Sequence, residues 1–158
     1  MRLTLSMLLL LVTVKSIPAD SCHSLLCATK STTYGDLQTV PCCNTTSHQC
    51  KDIEVLSIGY RSCDNKTAEL NSTLTSPYLE LTLLEISGYF SIITSDALAR
   101  LDLLKTLIIT KTNITELPSG LFDSNSNLET VKITGNGFKN VPDTIFQLGS
   151  RLKEFDFS

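Results

Sequence analysis

The chain has 158 residues, 42% of them hydrophobic and 18% charged, with a formal net charge of −3. That is enough apolar material for one core, and a mildly acidic balance without a Lys/Arg cluster argues against nucleic acid or an anionic membrane surface as a principal partner. Cysteine is unevenly spread, all six lying at or before Cys63.

Arg2, the apolar run Leu3 to Val14 and the small residues after it read as a secretory signal over residues 1–19, cleaved after Ser16 or Ala19. The run falls short of the roughly 18 residues that suggest a membrane span, and no later stretch reaches that length. The mature protein is therefore expected to be secreted and extracellular, with no membrane span.

Residues 20–63 contain Cys22, Cys27, Cys42, Cys43, Cys50 and Cys63. In an oxidising compartment an even count reads as disulfides, and the sequence does not choose among the 15 connectivities open to six cysteines. Cys42, Cys43, His48 and Cys50 are zinc-ligand types without the spacing of paired knuckles, so disulfides outrank zinc and no metal is assigned. Within the segment, Ile53 to Tyr60 is the best strand candidate, expected to cover the open end of a sheet. Residues 64–80 are polar and contain Ser76-Pro77, so they read as a surface connection or as a degenerate repeat around Leu70 and Leu74. Four N-x-S/T sequons, at Asn44, Asn65, Asn71 and Asn113, mark expected glycosylation sites on the surface.

From residue 81 a period takes over. In "LETVKITGNGFKNVP", Leu128, Val131, Ile133, Phe138 and Val141 follow neither a helical period nor plain strand alternation. The same spacing occurs 24 residues earlier in "LKTLIITKTNITELP", with Leu104, Leu107, Ile109, Ile114 and Leu117. Pro118 and Phe122 align there with Pro142 and Phe146. It occurs again in "LTLLEISGYFSII" after a one-residue deletion, with Leu81, Leu84, Ile86, Phe90 and Ile93, and a further copy begins at "LKEFDFS" with Leu152, Phe155 and Phe157.

This spacing resembles the leucine-rich repeat, L-x-x-L-x-L-x-x-N-x-L followed by L-P and phenylalanine. The type is the 24-residue one of Toll-like receptor ectodomains and secreted innate-immune proteins. The resemblance covers residues 81–158 as three copies and a truncated fourth. It implies an α/β solenoid: a short leucine-rich repeat coil with a parallel β-sheet on its concave face, irregular or partly helical returns, and a disulfide-rich N-terminal cap over residues 20–63. The adjacent Cys42 and Cys43 depart from the usual cap spacing.

The resemblance also implies that Asn136 is a buried asparagine bonded to the backbone of neighbouring turns. Thr112 and Gly88 hold that place in the earlier copies, so a sparser ladder is expected. Members of the family usually close the far end with a cysteine-containing cap, and no cysteine follows Cys63. The expectation is a truncated product, an amino-terminal piece of a longer receptor, or one half of an assembly.

The strand positions between the buried ones form three rows: Leu83, Thr106, Thr130, Glu154; Glu85, Ile108, Lys132, Asp156; and Ser87, Thr110, Thr134, Ser158. Because the concave face is the family's usual binding surface, the candidate ligand-binding residues are Leu83, Glu85, Thr106, Ile108, Thr110, Thr130, Lys132 and Thr134. Leu83 and Ile108 lead, as apolar groups with no core to serve, although isolated exposed apolar residues are also ordinary. Lys105, Glu129 and Lys153 alternate in charge at one repeat position and are expected to form a cross-strand ladder.

His23 and His48 are the only histidines, and no G-x-S-x-G or H-E-x-x-H occurs, so no catalytic residue, no cofactor and no enzyme activity are assigned. The expected function is a secreted recognition module for a protein or glycan, in innate immunity if the resemblance carries that far. The alternative is a structural or assembly subunit, or an N-terminal fragment of a longer receptor. Such a chain would associate with another leucine-rich repeat chain through its uncapped end.

Overall fold

The computed structural model describes residues 24–31, 38–40, 53–62, 64–138 and 151–158. In chain order the strands are β1 (Ser24–Ser31), β2 (Gln38–Val40), β3 (Ile53–Arg61) and β4 (Ala68–Leu70), then the short helix α1 (Ser72–Thr75). They continue with β5 (Leu83–Gly88), β6 (Phe90–Ile93), β7 (Thr106–Thr110), β8 (Thr130–Thr134) and β9 (Glu154–Phe157). The main sheet has the order β2-β1-β3-β5-β7-β8-β9, and β4 and β6 form a second, two-stranded parallel sheet. From β3 to β9 every junction of the main sheet is parallel. The architecture is a parallel-strand β-solenoid of about four turns with little helix.

Side-chain alternation fixes which strand face packs inward. Leu84, Ile86, Leu107, Ile109, Val131 and Ile133 are fully buried or nearly so, and the residues between them are only half-buried. Leu81, Leu104 and Leu128, three positions before each first strand anchor, are also buried. From the returns, Phe90, Ile93, Leu98, Leu101, Ile114, Leu117 and Phe122 complete the core. Phe138, Leu152, Phe155 and Phe157 pack against it half-buried, whereas Val141 and Phe146 lie outside the described residues. Burying one such aliphatic side chain contributes ~1.5–3 kcal/mol. A single coil cannot offset its own ordering at that rate, so stacked coils share one core.

Of the two forms expected for the returns, irregular or partly helical, the described residues take the irregular one. They are chained turns rather than helix: Ala97 N–H donates to Thr94 O (3.1 Å), Leu101 to Leu98 (3.0 Å) and Leu104 to Leu101 (3.1 Å). The next coil repeats the device from Asp123 to Gly120, Asn125 to Phe122 and Leu128 to Asn125. Among the described residues α1 is the only α-helix, four residues long. Asn71 caps it, its Oδ1 accepting from Thr73 N–H at 3.1 Å. Ser and Thr are weak helix formers, and Pro77 has no N–H to extend it. The α/β description therefore reduces to a β-solenoid.

A second expectation changes at the amino end. β3 does not cover the sheet; it is the first coil strand, parallel to β5 with Leu56 opposite Leu84 and Ile58 opposite Ile86. Leu56 and Ile58 are buried like their repeat partners. Covering falls to β1, which lies antiparallel between β2 and β3. Residues 64–80 carry β4 and α1, the return of this first coil. The signal segment 1–19, Cys22, His23, Cys42, Cys43, Asn44, His48, Cys50 and Cys63 lie outside the described residues; Cys27 lies on β1, opposite Ile58.

Asn136 makes the backbone bonds that the resemblance implies, although it is half-buried rather than buried. Its Oδ1 accepts from Thr112 N–H at 2.8 Å and Thr112 Oγ1 at 2.6 Å, while its Nδ2 donates to Ile109 O and Thr134 O, each at 2.9 Å. These bonds join β8's coil to β7's. Asn125 plays a similar part on the return and was not anticipated: it is fully buried, and Nδ2 donates to Leu98 O (3.1 Å) and Leu101 O (2.8 Å).

Candidate binding surface

The three rows read from the sequence are aligned by the sheet register. Leu83, Thr106, Thr130 and Glu154 stand side by side, as do Glu85, Ile108, Lys132 and Asp156, and then Ser87, Thr110 and Thr134. Ser158 N–H donates to Ile133 O and its carbonyl accepts from Gly135 N–H, extending the third row. The eight candidate residues thus share one open face of the sheet, all of them half-buried in it. Glu154 and Asp156 are exposed.

The face is wider than the sequence indicated. β3 adds Val55 beside Leu83, Ser57 beside Glu85 and Gly59 beside Ser87. The available signal was Ile53, Leu56 and Ile58, which carry the anchor spacing of Leu81, Leu84 and Ile86 at a distance of 28 residues rather than 24. Val55 and Leu83 are direct neighbours, and Ile108 on β7 is diagonal to Leu83, so three apolar side chains sit on adjacent strands roughly 4.8 Å apart.

Charge divides the face. Lys132 Nζ lies 2.8 Å from Glu154 Oε1. The hydrogen bond to Glu154 and that carboxylate's charge raise the Lys132 ammonium above its ordinary pKa, with Asp156 adding to the effect. Glu85, between Ser57 and Ile108, has no cation in ion-pairing reach among the described residues. The three rows therefore hold three carboxylates, Glu85, Glu154 and Asp156, against the single ammonium of Lys132.

The expected charge ladder beside the rows is only partly formed. Lys153 Nζ contacts Glu129 Oε2 at 2.7 Å, and this bond and its charge hold the Glu129 carboxyl below the usual carboxylate range. Lys105 and Arg151 contribute by charge alone. What unites this row is backbone: Lys105 N–H donates to Thr82 O, Glu129 to Lys105 and Lys153 to Glu129, each at 2.8 Å. Being exposed, the ion pair contributes little beside those bonds.

Sequons within the described residues lie off the three rows. Asn65 and Asn113 are exposed, and Asn71 is half-buried with its Oδ1 engaged in capping α1. Asn113 N–H donates to Phe90 O at 2.7 Å, which places it on the return just past the strand edge. Among the described residues no group of His, Cys, Asp and Glu gathers as a metal site, and no helix is long and apolar enough to cross a membrane.

No family model, curated protein or solved structure matches this chain.

Proposed function

We propose that the chain is a secreted recognition module of the leucine-rich repeat type, binding a protein or glycan through the concave strand face, with innate immunity as the setting the resemblance suggests. In this reading it is not an enzyme, and the six cysteines stabilise the amino-terminal cap as disulfides. The observation that carries the reading is the open sheet face, where Val55, Leu83 and Ile108 present apolar groups on the side away from the core. Apolar side chains clustered on a polar strand surface are a common mark of a contact site.

The test is binding of the secreted protein to extracellular proteins and to a glycan array, wild type beside Ile108→Asp. Leu103→Asp, at an exposed position off the rows, serves as control. Loss of binding in the first variant alone supports the reading. Equal binding by all three overturns it.

An assembly role has one supporting observation. β9 is the outermost strand described on its side of the sheet, and its Phe155 and Phe157 remain half-buried beside Phe138, whose ring lies 5.3 Å from that of Phe157. Another strand laid against this edge would cover them. Concentration-dependent sedimentation of the natural protein distinguishes this reading from a monomeric receptor.

A further inference from the structure

We infer that the occupant of the open sheet face is a cationic polypeptide segment, one that sets a Lys or Arg beside aliphatic side chains. The inference rests on the recognition reading and narrows it to one chemistry.

Two features of the face select that occupant. Val55 stands beside Leu83 and Ile108 is diagonal to Leu83, so three apolar side chains step across β3, β5 and β7. Such a strip is covered best by aliphatic side chains, whose burial scales with area. Glu85 borders the same strip, in line with Ile108 and next to Leu83 on its own strand, and no cation of the described residues pairs with it. A Lys or Arg satisfies both at once, because its methylene stem lies along apolar surface while its head reaches the carboxylate.

The rest of the face excludes the opposite charge. Lys132 is already held by Glu154, and Asp156 stands beside it, so on the three rows an anionic ligand meets three carboxylates and an ammonium that is already engaged. A neutral glycan finds no aromatic platform, since the three rows and their extension into β3 contain no aromatic side chain. The sequons described lie off the three rows.

The experiment is fluorescence anisotropy of the full secreted protein with three labelled peptides of equal length. One alternates Lys and Leu, one Glu and Leu, one Lys and Ser. The Lys/Leu peptide is expected to bind saturably and at least tenfold more tightly than either other. Glu85→Gln should weaken it about tenfold, as expected for a lost charged hydrogen bond, and added salt should weaken it too. Glu116→Gln, exposed on a return, should change nothing.

Equal affinity for the Lys/Ser peptide, or a Glu85→Gln variant of unchanged thermal midpoint that binds as well as wild type, overturns the inference. If a natural ligand is lost in Ile108→Asp yet indifferent to Glu85→Gln and to salt, the cationic chemistry falls and the recognition reading stands. If no ligand responds to Ile108→Asp, both fall.

Discussion

A Cβ added to Gly88 would stand 2.3 Å from the carbonyl oxygen of Tyr60, in the coil before it. That oxygen accepts the N–H of Tyr89 at 2.9 Å, so the two backbones meet where the third coil places Thr112 and the fourth Asn136. Gly88 also has φ +88°, a region side chains disfavour. Gly88→Ala is expected to destabilise the protein by at least about 2 kcal/mol. Gly137→Ala, whose added Cβ finds its nearest neighbour at 3.4 Å, should stay within about 0.5 kcal/mol of wild type. Denaturant titration of the two variants checks this.

Asn136→Ala leaves the N–H and hydroxyl of Thr112 and the carbonyl of Ile109 without their partner. The expected cost is about 2–3 kcal/mol. Asn136→Asp should also be destabilising, because a carboxylate can accept from Thr112 but repels the carbonyls of Ile109 and Thr134. Hydrogen exchange should then show faster opening at the junction of β7 and β8 than at that of β3 and β5.

Val131→Asp places a carboxylate at a position with 0% exposure, with no partner to receive it. A loss of more than about 4 kcal/mol is expected, with little folded protein secreted. The neighbouring position makes the contrast, but Lys132→Asp would set an acid beside Glu154 and Asp156. Lys132→Gln is the cleaner control and should fold normally.

Acid should weaken the fold through two carboxyls whose pKa values are lowered. Asp96 accepts the hydroxyls of Ser72 and Thr94, and Glu129 accepts from Lys153, so the folded state favours the ionised form of each. Their stabilisation is present above the unfolded carboxylate pKa of about 4 and is lost as pH falls through the lower folded values. The thermal midpoint should be level from about pH 7 to 5 and decline below about 4. Asp96→Asn combined with Lys153→Met should flatten that decline.

The repeat portion of the fold was legible because alternation and period act together. A strand anchor misplaced by one residue would turn Lys132 inward and Ile133 outward, so the amino-acid pattern alone determines the rows from Leu83 to Thr134. β3 was harder, since its 28-residue offset from β5 hides the period and its place beside the cysteines suggested a cap. The sequence leaves the form of the returns open between irregular and partly helical, because Ala97, Leu98, Leu101 and Leu104 have spacing that suits a helix as well as chained turns. Asn125 gave no signal at all: the residue 24 positions earlier is Leu101, so only packing shows that its amide closes two carbonyls of the coil before. The unmatched charge on Glu85 likewise depends on where Lys132 and Glu154 settle, which pairing across strands decides.

The side-chain bonds from Ser72 to Asp96, Ser91 to Thr67, Thr112 to Asn136, Arg151 to Asn127 and Lys153 to Glu129 each join residues 24 apart. Chain length in the coiled region is therefore quantised. A tandem copy of residues 104–127 would present the same partners to each neighbour and lengthen the face by one rung, whereas a single residue added inside β7 or β8 would reverse the side chains in the rest of that strand. Extra residues are absorbed in the returns, as the longer first coil with its β4 and α1 already illustrates. Binding surfaces of different length are thus reachable by whole-coil duplication without redesign of any contact, and the antiparallel β1 confines that growth to the side of β3 facing β5.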